Sequence, residues 1–180
     1  MKMAEPIAHL FACPVDDILA LLPDEGDPVW DKFGFRQQQY SAHHLTRTIA
    51  FAWPMPVAAD GKPTIGTASY AGKQLTDAVM ACGDRLAAHY GGALVTALLL
   101  TELQAGARIP VHVDSGQLQD ITHRCHVAVL TNADVTFTID GHNYHLPPGE
   151  AYEVDNMRQH AIANLGRERR VHLICNLLPV

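Results

Sequence analysis

Val135-Thr-Phe-Thr-Ile139, Asp140-Gly141 and His142-Asn-Tyr-His-Leu146 form the stretch that decides the fold. Two segments that alternate between apolar and polar residues flank a dipeptide in which both residues tolerate positive φ, which is the pattern of a β-hairpin closed by a tight turn. The same rhythm extends in both directions. From Ala93 onward, short β-like segments follow one another, separated by turn signals at Gly106, Asn132, Pro147-Pro148-Gly149 and Gly166. Such spacing reads as an antiparallel sandwich or barrel.

Upstream of Ala93 the pattern differs. Cys13 to Pro23 reads as a short helix, with Pro14 in its first turn and Pro23 ending it. His44 to Trp53 is a strand-like run that Trp53-Pro-Met-Pro56 should break. Between Leu75 and Tyr90 the residues Leu75, Val79, Leu86 and Ala87 recur near helical spacing, and Gly91-Gly92 ends the longest helix of the chain. The expected architecture is a single mainly β domain, 1–180, with flanking helices. In it a helical or irregular part, 1–92, lies against a jelly-roll, cupin-like core, 93–180.

Composition narrows the function classes. A chain of 180 residues that is 48% hydrophobic and 18% charged can bury one sizeable core. Its net charge of -6 argues against a surface that follows phosphates or anionic lipid, so neither nucleic acid nor membrane is an expected partner. The basic cluster Arg167, Arg169 and Arg170 is too short to change that. Four cysteines stand far apart without a Cys-x-x-Cys pair and are expected to be buried free thiols. The N-terminal residues do not resemble a signal peptide, and the longest apolar run, Ala93 to Leu100, is too short to span a bilayer. A reducing cytoplasm is the expected location. The oligomeric state is left open.

The chemistry must come from the β-rich half, because none of the common nucleophile, phosphate-loop or His-Glu-x-x-His signatures is present. In Arg108-Ile-Pro-Val-His112-Val-Asp114, the period of two puts His112 and Asp114 on one face of an extended segment. His160, on a later strand, would complete a set of two histidines and one carboxylate that leaves positions open on Fe(II). A His-x-Asp pair alone is weak, and a polar surface turn is its ordinary alternative. In Arg170-Val-His172-Leu-Ile174, residues 170, 172 and 174 should share one face. An arginine facing a barrel interior is costly unless it meets an anion, and its fork suits the carboxylate of a dicarboxylic cosubstrate. The alternative is pairing with a nearby carboxylate such as Asp155 or Glu153. The same alternation puts Arg124 and His126 on one face, looking either into that cavity or into solvent.

Taken together, Leu103-Gln-Ala-Gly106-Ala-Arg-Ile109-Pro-Val-His112-Val-Asp114, Arg124-Cys-His126, Gly149-Glu150, Asp155-Asn156, His160, Asn164 and Arg170-Val-His-Leu-Ile174 resemble the aspartyl/asparaginyl β-hydroxylase family. The resemblance spans roughly residues 93 to 178. It implies a double-stranded β-helix, an oxygenase using Fe(II), 2-oxoglutarate and O2, and His112, Asp114 and His160 as iron ligands. It further implies Arg170 as the 2-oxoglutarate anchor, with Arg124 and His126 helping to hold that cosubstrate. The carboxylate at Asp114 resembles the branch that includes free-proline hydroxylases, whereas the animal peptide hydroxylases lack that ligand. The implied substrate is an amino acid, or a peptide or protein residue. Arg36, Gln37, His43, Arg47 and Trp53 are substrate-contact candidates by chemistry alone. Two other functions compete: a cupin-like metalloenzyme that does not use 2-oxoglutarate, and a non-catalytic jelly-roll binding module. The first has no need of an inward arginine at 170, and an intact set of His112, Asp114 and His160 argues against the second.

Overall fold

The computed structural model describes residues 3–55, 64–66, 70–114 and 118–180. Among the described residues, eleven strands run in chain order as β1 (Ile7–Ala12), β2 (Thr46–Met55), β3 (Thr64–Gly66), β4 (Leu94–Leu103), β5 (Arg108–His112), β6 (His123–Leu130), β7 (Val135–Ile139), β8 (His142–Tyr144), β9 (Glu150–Val154), β10 (His160–Asn164) and β11 (Arg170–Leu178). They form a seven-stranded sheet, β1-β9-β6-β11-β4-β2-β3, and a four-stranded sheet, β5-β10-β7-β8. Every ladder between them is antiparallel. This is the mainly β jelly roll expected. The hairpin that decided it is present, with Asp140 at φ 47° and Gly141 at φ 81° between β7 and β8, the backbone a two-residue turn requires.

Alternation along β6 and β11 sorts side chains between two different interiors. Cys125, Val127 and Val129 of β6, with Val171, Leu173, Cys175 and Leu177 of β11, enter the main hydrophobic core. There they meet α1 (Asp16–Ala20) and α3 (Lys73–His89) through Ile18, Leu75, Val79, Cys82 and Leu86. Gly83 lets α3 approach closely, since a Cβ there would lie 3.1 Å from Leu98 Cδ2. The helix stops where expected: Gly91 takes φ 72°, and Gly92 N–H donates back to Ala87 O at 2.9 Å. All four cysteines are buried free thiols. The opposite face of the large sheet is covered by the small one, with Ile109, Phe137, Ile139 and Ile162 packing near Leu103 and Val154.

The N-terminal part departs from expectation. It is not only helical and irregular, since β1 and β2 extend the large sheet on both sides and β3 continues it beyond β2. Strand β1 pairs with β9 alone and lacks apolar alternation, so no local pattern marks it. Helix α1 begins at Asp16, after Pro14, where Asp16 and Asp17 lie at its positive end. Strand β2 continues through Pro54 because its pairing with β4 ends at Ala52, and Pro54 faces only the short strand β3.

Asn164 ties the end of β10 to the turn that delivers Arg170. Its side-chain amide donates to Leu103 O, Gln104 O and Glu168 O at 2.8 to 3.3 Å, and its Oδ1 accepts from Gly166 N and Asn132 Nδ2 at 3.2 Å. The residue is fully buried. Asn164→Ala strands these groups and is expected to cost about 2–3 kcal/mol. Urea unfolding should show this as a lower midpoint with an unchanged slope; an unshifted midpoint would refute it.

Candidate active site

His112, Asp114, His160, Arg124, His126 and Arg170 all line one cavity of about 340 Å³, counting its open mouth. The two sheets bring them together. His112 ends β5 and faces His160, the first residue of β10, as a cross-strand pair, with ring centroids 4.2 Å apart. Asp114 lies just beyond β5, where its backbone N–H donates to Asn156 O at 3.1 Å.

Both imidazoles are held by one nitrogen and offer the other. His112 Nδ1 lies 2.8 Å from Pro110 O and His160 Nδ1 lies 2.9 Å from Arg158 O. A carbonyl only accepts, so both protons sit on Nδ1 and both Nε2 lone pairs are free. His112 Nε2 is buried without a partner. Asp114 Oδ1 stands 3.5 Å from His112 Nε2 and 3.9 Å from His160 Nε2. Burial opposes ionisation of Asp114, but Arg124 at 3.1 Å, with His112, His160 and Arg36, outweighs it and holds the carboxyl well below the usual carboxylate range. Burial also keeps His160 below the ordinary imidazole value. Two imidazole Nε2 atoms and a carboxylate thus converge, a donor set that could hold a divalent metal.

His43 places a ring nitrogen within 4.8 Å of the ligand atoms of His112 and Asp114 and groups with them by distance. Its hydrogen bonding decides otherwise. Arg36 Nη2 is 3.2 Å from His43 Nε2. A guanidinium can only donate, so Nε2 accepts and the proton sits on Nδ1, which is buried and unpartnered. The free nitrogen of His43 is therefore an N–H donor, whereas those of His112 and His160 are lone-pair acceptors.

Arg170 is 1% exposed, and its Nε and Nη2 have no partner. The carboxylates that could have neutralised it are committed elsewhere: Asp155 to Arg158 Nε and Met3 N, Glu153 to His123 and Tyr90. Burial and the positive charge of Arg36 lower its pKa to about 9, so it stays cationic at neutral pH. His126 Nδ1 and both nitrogens of His172, whose ring lies 5.9 Å from that of His126, are likewise buried and unpartnered. Burial first, then nearby arginines, holds both rings neutral. Arg124 departs from the expected role in that its contacts run to Asp114 Oδ2 at 3.1 Å and Asn176 Oδ1 at 3.0 Å. Asn156 Nδ2 adds a 3.3 Å bond to the same carboxylate oxygen.

The N-terminal candidates divide. Arg36, on α2 (Phe35–Gln39), and His43 line the cavity. Gln37 bonds Thr46 and Thr48, Arg47 pairs with Glu102 at 2.6 Å, and Trp53 packs edge-on against Phe33 and Phe35. None of these three lines the cavity.

Fold and site together define a jelly-roll protein with a convergent His, His, Asp set and a buried cation in one cavity. The profile of the Aspartyl/Asparaginyl beta-hydroxylase family matches residues 23–179, and the chain belongs to that family of hydroxylases. No curated protein resembles it closely enough in sequence to count as a match. Among solved structures, an oxidoreductase of the 2OG-Fe(II) oxygenase family from Burkholderia pseudomallei superimposes with a TM-score of 0.60 at 12% identity, covering 97% of this chain and 85% of that one. At that identity the likeness concerns the fold. Partial likenesses include a predicted oxalate decarboxylase from Thermotoga maritima, with a TM-score of 0.37 at 18% identity over 47% of this chain and 67% of that one. A cupin superfamily protein from Desulfitobacterium hafniense gives 0.35 at 18% identity over 46% and 66%. Among the described residues, no helix is long and apolar enough to cross a membrane.

Proposed function

We propose that the protein is an Fe(II)- and 2-oxoglutarate-dependent dioxygenase that hydroxylates a C–H bond of an amino acid, or of an Asp/Asn-type residue in a peptide or protein. The observation that carries this reading is the buried, carboxylate-free guanidinium of Arg170 in the same cavity as the His112, Asp114 and His160 lone pairs. A buried cation without a counter-ion is costly, and a dicarboxylate supplies one. A cupin-like metalloenzyme that needs no such cosubstrate leaves this cation unexplained.

In this reading His112, Asp114 and His160 hold the iron, Arg170 takes the distal carboxylate of 2-oxoglutarate, and His126 faces the same cosubstrate. Arg124 acts largely through Asp114, fixing its charge and orientation together with Asn156. When bound, the metal and cosubstrate couple O2 activation and decarboxylation of 2-oxoglutarate to succinate with insertion of oxygen into a C–H bond. The protein orients and shields. The carbonyls of Pro110 and Arg158 lock the two ring tautomers, and Ile109, Phe137, Ile162 and Ile174 give the cavity apolar walls that exclude water. No side chain need act as a general base.

Protein purified without oxygen, loaded with Fe(II) and 2-oxoglutarate and then exposed to air is expected to release succinate slowly. An amino-acid or peptide pool should accelerate the release. Absence of both succinate release and 2-oxoglutarate binding would overturn the assignment.

A further inference from the structure

Arg36 is a second buried cation that the proposed chemistry does not use. It is 4% exposed, and its guanidinium is oriented by Thr101 Oγ1 and His43 Nε2, each 3.2 Å away. Neither partner is charged in the ordinary state of the site, and among the described residues no carboxylate lies within ion-pair distance of Arg36. Asp114, the acidic residue of the cavity, is paired with Arg124. Beside the fork, His43 offers its unpartnered Nδ1–H. Burial first, then Arg124, lowers the pKa of Arg36 to about 10, which leaves it protonated at neutral pH.

A count of charge gives the chemical class of the missing partner. Arg36, Arg124 and Arg170 against Asp114 leave the cavity with two positive charges in excess. A divalent metal and doubly charged 2-oxoglutarate cancel each other, so the excess persists after both have bound. Arg170 keeps Nε and Nη2 free for the cosubstrate, and Arg36 is carried by a different part of the chain, on α2. We infer that Arg36 and the Nδ1–H of His43 form an anion subsite for the substrate, which presents a carboxylate to them in the cavity that Arg170 also lines. The geometry favours a carboxylate because a planar fork with an adjacent N–H donor matches its two oxygens.

This inference rests on the oxygenase reading, and the test separates the two. Holoprotein carrying Mn(II) in place of Fe(II) is titrated without oxygen, first with 2-oxoglutarate and then, with 2-oxoglutarate bound, with four probes. L-proline and L-aspartate carry a free α-carboxylate. N-acetyl-L-aspartate α-amide carries only a side-chain carboxylate, and L-prolinamide carries none. At least one carboxylate probe is expected to bind the wild type and to bind Arg36→Gln about 30-fold more weakly. Comparing the first three identifies which carboxylate is read. L-prolinamide should bind weakly to both proteins.

Arg36→Gln should keep its 2-oxoglutarate affinity within about threefold, a change too small to represent a lost ionic contact. That titration also shows that the variant is folded. Arg36→Lys, which keeps the charge but loses the fork, should recover part of the affinity. Equal binding of the carboxylate probes to wild type and Arg36→Gln, or no carboxylate binding to a wild type that binds 2-oxoglutarate, overturns the subsite alone. Failure of the wild type to bind 2-oxoglutarate overturns the oxygenase reading and this inference with it.

Discussion

Arg170→Gln is expected to weaken 2-oxoglutarate binding by about 100-fold while leaving metal retention intact. Two charge-assisted hydrogen bonds at about 1.5 kcal/mol each amount to roughly 3 kcal/mol, which gives that factor. The native site has nothing to replace them, since Nε and Nη2 of Arg170 have no partner within the protein. Glutamine keeps much of the side-chain volume and removes the charge, so collapse of the cavity is avoided and the result reports recognition. Titration of 2-oxoglutarate into the metal-loaded variant, with metal content measured alongside, is the check. Unchanged affinity would remove the guanidinium from the cosubstrate and reopen the cupin-like reading.

The opposite pattern is expected for His160→Ala. Metal binding to such a site has a free energy on the order of 10 kcal/mol, and losing one of three ligands removes about a third of it, a loss of about 200-fold to 300-fold in affinity. The variant should emerge from dialysis without metal. Folding is not expected to fail with it, because the hydrogen bond that His160 makes in the protein runs to the backbone carbonyl of its near neighbour Arg158. The β10 ladders to β5 and β7 are built from main-chain groups. A dialysed His160→Ala protein that retained stoichiometric Fe(II) would show that the ligand set is wrong, with His43 then the first alternative to examine.

Much of the lining of the candidate site was legible before the structure because the strands carrying it obey period two. Arg170 and Ile174 do face the cavity, while Val171, Leu173 and Cys175 face the helices. Arg124 and His126 separate from Cys125 and Val127 in the same way. What alternation does not carry is the identity of partners. Alternation put Arg124 on one face with His126 but left open whether that face met the cavity or solvent, and its engagement with Asp114 depends on an approach between segments of the two sheets. The chemistry of Arg36 and His43 was visible, but residues on short helical turns have no periodicity that says where they point. Gln37 and Arg47 looked equally suitable and lie outside the cavity. Strand β1 was missed because its only pairing partner, β9, lies almost the whole chain away.

That last pairing also bears on how the chain is assembled. Ile7 meets Val154 and Ala12 meets Glu150, so β1 has no ladder to join until β9, far along the chain, has been made. Closing so long a loop is entropically costly, and topologies dominated by such distant pairings fold slowly. Until β1 docks, the outer edge of β9 presents unpaired backbone groups that invite pairing with another chain. The strand with the least conspicuous sequence is thus the one that covers the edge of β9 and becomes the edge of the sheet in its place.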